Sequence, residues 1–193
     1  ADGSVTVSVE VVDEAGNPAA FPSWTATKDT IGSGAPTSVG IAVGPSNPAN
    51  VINENSVAST RVQASFPSTA LSGGEQYTVT LTPQGQSSPS VTYGPIAGAA
   101  AGGSTFTFGP MDATVIPDGS VDVSIEVEDA AGNPATFAGT IGTKDVTAPG
   151  TATVAGVLGS TMSPANFINF HNEPSIDVGV TLGSASVNTD QVW

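Results

Sequence analysis

The sequence predicts an all-β protein built from tandem copies of one sandwich module. Three observations carry this: apolar and polar residues alternate with period 2, helical periodicity is absent, and the chain repeats itself at an offset of 116 residues. Asp2 to Asp29 lies over Asp118 to Asp145 with 18 of 28 positions identical, and PANVIN at Pro48–Asn53 returns as PANFIN at Pro164–Asn169. A period of that size is one small domain rather than a solenoid turn. The phase of the repeat divides the chain into a closing half-module at 1–29, a complete module at 30–145 and an opening half-module at 146–193.

Within the complete module the expected strands run over 37–43, 58–66, 76–82, 90–93, 104–108, 119–128 and 135–144, separated by turns rich in Gly, Ser and Pro. The sixth is the clearest. Val121, Val123, Ile125 and Val127 alternate with Asp122, Ser124, Glu126 and Glu128, which gives one apolar face and one polar face. Its copy does the same with Val5, Val7, Val9 and Val11. Each then meets a turn, Asp13–Pro18 or Asp129–Pro134, in which Gly and Asn tolerate positive φ and Pro ends the ladder. The hairpin closes at Lys28-Asp29 or Lys144-Asp145. Seven short strands at this spacing describe an immunoglobulin-like sandwich, without the Cys pair and core Trp of antibody domains. Trp24 and Trp193 are expected to pack in a core or on a sheet face, and the lone His171 to sit in a surface turn.

Composition narrows the partners. Three Lys and Arg stand against 17 Asp and Glu, a net charge of −14, so nucleic acid and anionic membrane are repelled. The acidic residues are dispersed, as on a solvated surface or as scattered cation ligands. With no Cys, neither disulfides nor thiolate metal sites form. No apolar run is long enough to span a membrane, and Gly94–Gly103 (GPIAGAAAGG) reads as a loop. A chain that begins at Ala1 with no leader reads as an excised or processed segment. Catalysis finds no support, because the sequence has no Cys, a single His that lies in the partial module, and no HExxH, P-loop or dinucleotide motif, and the adjacent Glu128 and Asp129 point to opposite faces of a strand.

INENS (52–56), Tyr77, PDGSVDVSIEVEDAAGNPA and the closing TKD with Thr147-Ala148-Pro149 together resemble the bacterial immunoglobulin-like repeats of giant surface adhesins of the biofilm-associated and RTX type. The likeness covers essentially the whole chain. It implies a secreted fibre anchored at the bacterial cell surface, in which repeats are spacers that bind calcium and their neighbouring repeats. Two features depart from the pattern: a long Gly/Ala loop at 94–104, and Thr30-Ile31-Gly32 where the second linker has Ala-Pro, which implies a less stiff first junction.

In such a sandwich the end of one module abuts the loops at the top of the next. Asp29 is therefore expected to meet Glu75, from the loop before the 76–82 strand, and Asp129, from the loop after 119–128, with Asn133 nearby. Calcium takes six to eight oxygen ligands in irregular geometry, so this set is a candidate junction site. The plainer reading is that Asp13 and Asp129 only close their own turns. Asn53 and Asn169 are expected to satisfy loop backbone. Three functions stay open: an adhesin spacer, a subunit of a self-assembling filament or sheath in which copies of the chain complete one another, and a carbohydrate- or protein-binding module. The few aromatics count against the third.

Overall fold

The computed structural model describes residues 2–45, 47–67, 73–98, 105–151, 153–158, 166–168 and 177–181. The readings on Asn169, His171, Asn172 and Trp193, and on most of the Gly/Ala loop, lie outside the described residues. Two compact units divide the chain, 1–146 and 147–193.

The first unit opens with β1 (Gly3–Val7), β2 (Glu10–Val12), β3 (Pro18–Ala20) and β4 (Trp24–Lys28), which form two antiparallel ribbons, β1 with β4 and β2 with β3. There follow β5 (Ser38–Ile41), β6 (Val51–Ile52), a 3-10 turn at Val57–Ser59, β7 (Thr60–Ser65), β8 (Gln76–Pro83), β9 (Val91–Ala97), β10 (Thr105–Met111), β11 (Gly119–Glu128), β12 (Pro134–Ala138) and β13 (Gly142–Lys144). Two sheets result. One has the order β10-β7-β5; the other runs β6-β13-β11-β8-β9, with β12 also on β11.

The sheets close on a single core. Val39, Ile41, Val62, Ala64, Phe108 and Met111 come from the smaller sheet, and Ile52, Tyr77, Val79, Leu81 and the four apolar residues of β11 from the larger. Val121, Val123, Ile125 and Val127 are all buried, while Glu126 is exposed and Asp122 half-buried, accepting a hydrogen bond from Gly85 N at 2.9 Å. Phe66, Tyr77, Phe106 and Phe108 pack at tilted and edge-on angles with centroids 5.4–6.4 Å apart. This is an immunoglobulin-like sandwich, and the chain is all-β.

The seven expected strand positions carry eight described strands, because the last run divides, and a ninth strand, β6, lies between the first two expected runs. It follows Asn50, whose positive φ of 59° turns the chain from one sheet to the other. Asn50 holds this crossing from both sides: its Oδ1 accepts from Ile41 N at 3.1 Å and its carbonyl from Thr143 N at 2.8 Å. β6 then pairs in parallel with β13. The last run divides into β12 and β13 around Gly139, where a Cβ would stand 2.8 Å from Val39 O. The fourth run joins β8 through a short turn and extends the larger sheet, rather than pairing with β10.

The ribbons reproduce the repeat in register. The registers Gly3↔Lys28 and Glu10↔Ala20 return as Gly119↔Lys144 and Glu126↔Thr136, each residue moved by the repeat offset. The ribbons differ in cover. Val5, Val7, Val9 and Val11 are exposed, and Trp24, expected in a core or on a packed face, is 79% exposed. In the complete module the equivalent face is roofed by β5, β7 and β10; no sheet roofs the first ribbon among the described residues.

The second unit contains β14 (Thr153–Val157) and β15 (Val178–Thr181), which pair through Gly156↔Gly179 and Val157↔Val178. The same two pairs occur one repeat earlier as Gly40↔Gln63 and Ile41↔Val62. Asn166 takes a φ of 63°, matching Asn50.

Ile125 and Val9 occupy the same repeat position in opposite surroundings. Ile125→Ala is expected to lower stability by about 2–5 kcal/mol and Val9→Ala by about 0.5 kcal/mol or less, read from urea denaturation of the first unit.

Candidate junction site

Asp129 closes the turn between β11 and β12. Its Oδ1 accepts from Ala131 N at 2.8 Å and Asn133 N at 2.9 Å, and its Oδ2 from Asn133 Nδ2 at 2.9 Å. Gly132, with φ of 87°, supplies the left-handed residue that lets the backbone return. These donors hold the Asp129 carboxyl below its ordinary range, the Asn133 amide contributing most. Asp13 builds the same turn with Asn17 N at 2.8 Å and Asn17 Nδ2 at 2.9 Å, and its carboxyl is lowered by the same causes.

The linker meets this turn. Asn133 Nδ2 also donates to the carbonyl of Asp29 at 3.3 Å, and Gly32 runs so close to β12 that a Cβ there would lie 3.3 Å from that of Ala135. The Asp29 carboxylate itself accepts from Ile31 N at 3.2 Å. Glu75 is fully buried at the start of β8, and both of its oxygens accept from Gly73 N, at 3.0 and 2.9 Å. Gly74 lies beside Ala130, so the Glu75 loop and the Asp129 turn are neighbours. Burial, reinforced by Glu75, pushes the Tyr77 hydroxyl up to about 12.

Asp29, Glu75, Asp129 and Asn133 thus occupy one end of the module. Their carboxylates are each taken up by nearby backbone N–H groups, and among the described residues no cluster of three or more acidic or imidazole side chains is close enough to share one ion. Asn53 satisfies loop backbone, its Oδ1 accepting from Asn55 N and Ser56 N at 3.1 Å each.

Sequence reasoning missed a second device, at the opposite end of β11. Lys144 Nζ, on a residue 4% exposed, pairs with Asp118 Oδ1 at 3.1 Å, and the same oxygen accepts from Val146 N at 3.3 Å. The carboxylate at the start of β11 therefore grips both the last strand and the first linker residues. Asp2 does likewise, with Lys28 at 3.2 Å and the Thr30 hydroxyl at 2.8 Å, and these contacts lower its pKa, the Thr30 bond contributing most. The signal was in the sequence. Of three basic residues, two occupy the same repeat position, each opposite an Asp.

Two outcomes are expected. Asp118→Ala should cost about 1–3 kcal/mol and more than Lys144→Met, because it strands a buried ammonium whereas the reverse change leaves a carboxylate with access to water. Asp129→Ala should lower the melting temperature at neutral pH. A depressed folded-state pKa stabilises above the unfolded value and is lost as pH falls below it, so the gap to wild type should close as pH drops below 3.8. Melting curves across the acid range check both.

No family model matches the chain and no curated protein matches it. Solved structures do resemble it. A tetra-tandem repeat from the extending region of a large adhesion protein shares 16% identity over 95% of this chain and 46% of that one, with a TM-score of 0.44. A Ca2+-stabilized adhesin of an Antarctic bacterium that binds ice shares 23% identity over 80% of this chain and 35% of that one, with a TM-score of 0.35. A bacterial immunoglobulin-like domain from the M. primoryensis ice-binding adhesin shares 23% identity over 60% of this chain and all of that one, with a TM-score of 0.32. The chain spans less than half the length of the first two. It is similar to the immunoglobulin-like tandem repeats of large bacterial adhesins.

Proposed function

We propose that this chain is a stretch of spacer repeats from a bacterial adhesin displayed outside the cell. Residues 1–29 are the closing half of one repeat, 30–145 a complete repeat and 146–193 the opening half of the next. The observation that carries this reading is the return of the same hydrogen bonds and ion pair at a fixed offset: Asp13–Asn17 with Asp129–Asn133, and Asp2–Lys28 with Asp118–Lys144. Tandem modules whose chemistry is spent on turns and linkers serve to extend. The partners are then neighbouring repeats of the same polypeptide, and a preceding repeat roofs the exposed Val5, Val7 and Val9 face as β5, β7 and β10 roof its counterpart. Among the described residues no set of side chains supports catalysis.

Calcium at the junction is the finer part of the proposal, with Asp29, Glu75, Asp129 and Asn133 as its residues. Its support is that the linker already touches the Asp129 turn and that Asp129 is held ionised, which makes that end of the module an acidic pole. Bound to the folded joint alone, an ion would raise stability by mass action.

The exposed valine face equally suits a filament in which a second copy supplies the roof. Native mass of the source polypeptide separates the two: a species far heavier than 18.9 kDa with a beaded outline by electron microscopy is expected, whereas an 18.9 kDa chain that polymerises end to end overturns the spacer reading. For calcium, isothermal titration at millimolar concentration should show binding that Asp129→Ala abolishes, with a matching loss of the calcium-induced rise in melting temperature. An unchanged Asp129→Ala isotherm places the ion elsewhere.

A further inference from the structure

At the end of the smaller sheet, where β5 stops and β7 begins, the surface opens into a recess of about 260 Å³ whose walls include Val43, Pro45, Asn55, Ser59 and Arg61. Arg61 is the only arginine in the chain. Both lysines are committed to Asp2 and Asp118, and among the described residues no carboxylate lies within ion-pair distance of the Arg61 guanidinium. A free cation on a surface of net charge −14 is conspicuous, because neutralisation by a neighbouring acid would be the easy outcome. The side chains of Asn55 and Ser59 are likewise exposed and make no side-chain hydrogen bond among the described residues; Asn55 is engaged only through its backbone N–H. Val43, 68% exposed, and Pro45 add apolar surface to the lining.

The repeat shows that this recess is not required by the scaffold. Pro48, Ala49, Asn50, Ile52 and Asn53 all recur one repeat later, whereas Arg61 is replaced by Asp177, Asn55 by His171, Val43 by Gly159 and Pro45 by Thr161. The crossing between sheets is thus retained while the chemistry beside it changes. This set of lining residues belongs to the complete module alone.

We propose that this recess binds the carboxylate of a sugar acid, a single uronic acid unit of an acidic polysaccharide. The guanidinium offers a planar fork matched to a carboxylate. Asn55 and Ser59 can donate to and accept from ring hydroxyls. Val43 and Pro45 present an apolar surface to the face of a pyranose ring. The volume lies just under the range of about 300–1,000 Å³ usual for pockets that enclose drug-sized ligands, which suits one ring rather than an oligosaccharide. No group in the recess can act as a base toward Ser59, so the ligand is held and not transformed. The spacer reading does not depend on this site; a spacer that holds an acidic matrix at this module would itself be adhesive there.

The test is an amide NMR titration of the whole chain with galacturonate, galactose, acetate and inorganic phosphate. Galacturonate is expected to shift the resonances of Asn55, Ser59 and Arg61 with a Kd on the order of 1 mM, galactose to leave them in place, and acetate and phosphate to act at least tenfold more weakly. Arg61→Gln, with its spectrum otherwise folded, should weaken galacturonate at least tenfold, and Arg61→Lys, which keeps the charge and loses the fork, should fall between. Equal binding of galactose, or unchanged affinity in Arg61→Gln, overturns the site; acetate or phosphate as tight as galacturonate overturns the sugar acid as its ligand.

Discussion

The structure depends on the two-faced pattern of β11. Its ten residues alternate so that Val121, Val123, Ile125 and Val127 enter the core while the intervening side chains leave it, and β8, β12 and β13 all take their register from it. A slip of one residue would turn every valine outward. The Asp129 turn follows directly from the end of this strand and the Asp118 ion pair precedes its beginning. Both junction devices are therefore positioned by one hydrophobic pattern.

How much of this could be read in advance follows from the kind of signal each feature leaves. β11 and its turn were legible because alternation and an Asp-x-x-Gly-Asn-Pro sequence are local, and the internal repeat supplied a second reading of the same words. The side of the sandwich joined by β9 was not legible. Thr92 and Tyr93 fit any half-buried strand, and only the short turn at Gly85 commits the strand to β8. The split between β5 and β6 was hidden because it turns on one Asn in a left-handed conformation, and PAN reads equally as an ordinary loop.

The junction shows the same limit. Asp29, Glu75, Asp129 and Asn133 were assigned to one end of the module by strand order, and strand order does place them there. What it could not give is the engagement of each carboxylate by its own loop, which depends on backbone N–H directions. The burial of Lys144 was missed for a different reason. Lysine is ordinarily read as surface, yet here the residue is buried in a strand paired with both β6 and β11, and its charge is met by Asp118. Trp24 ran the other way: a large aromatic is expected to pack in a core or on a sheet face, and among the described residues the strand that carries it pairs only with β1.

The parallel pairing of β6 with β13 has a mechanical meaning. The chain enters the module through β5, which pairs antiparallel with β7, then forms β6 and leaves from β13, so once β5 has peeled away tension along the polypeptide pulls β6 and β13 lengthwise past each other. Thr143 N to Asn50 O at 2.8 Å and Asp145 N to Ile52 O at 2.9 Å then bear the load together instead of parting one at a time as they would in a peeled hairpin. Such bonds resist in shear. The short strand that sequence analysis did not see is the one that would hold a module against drag.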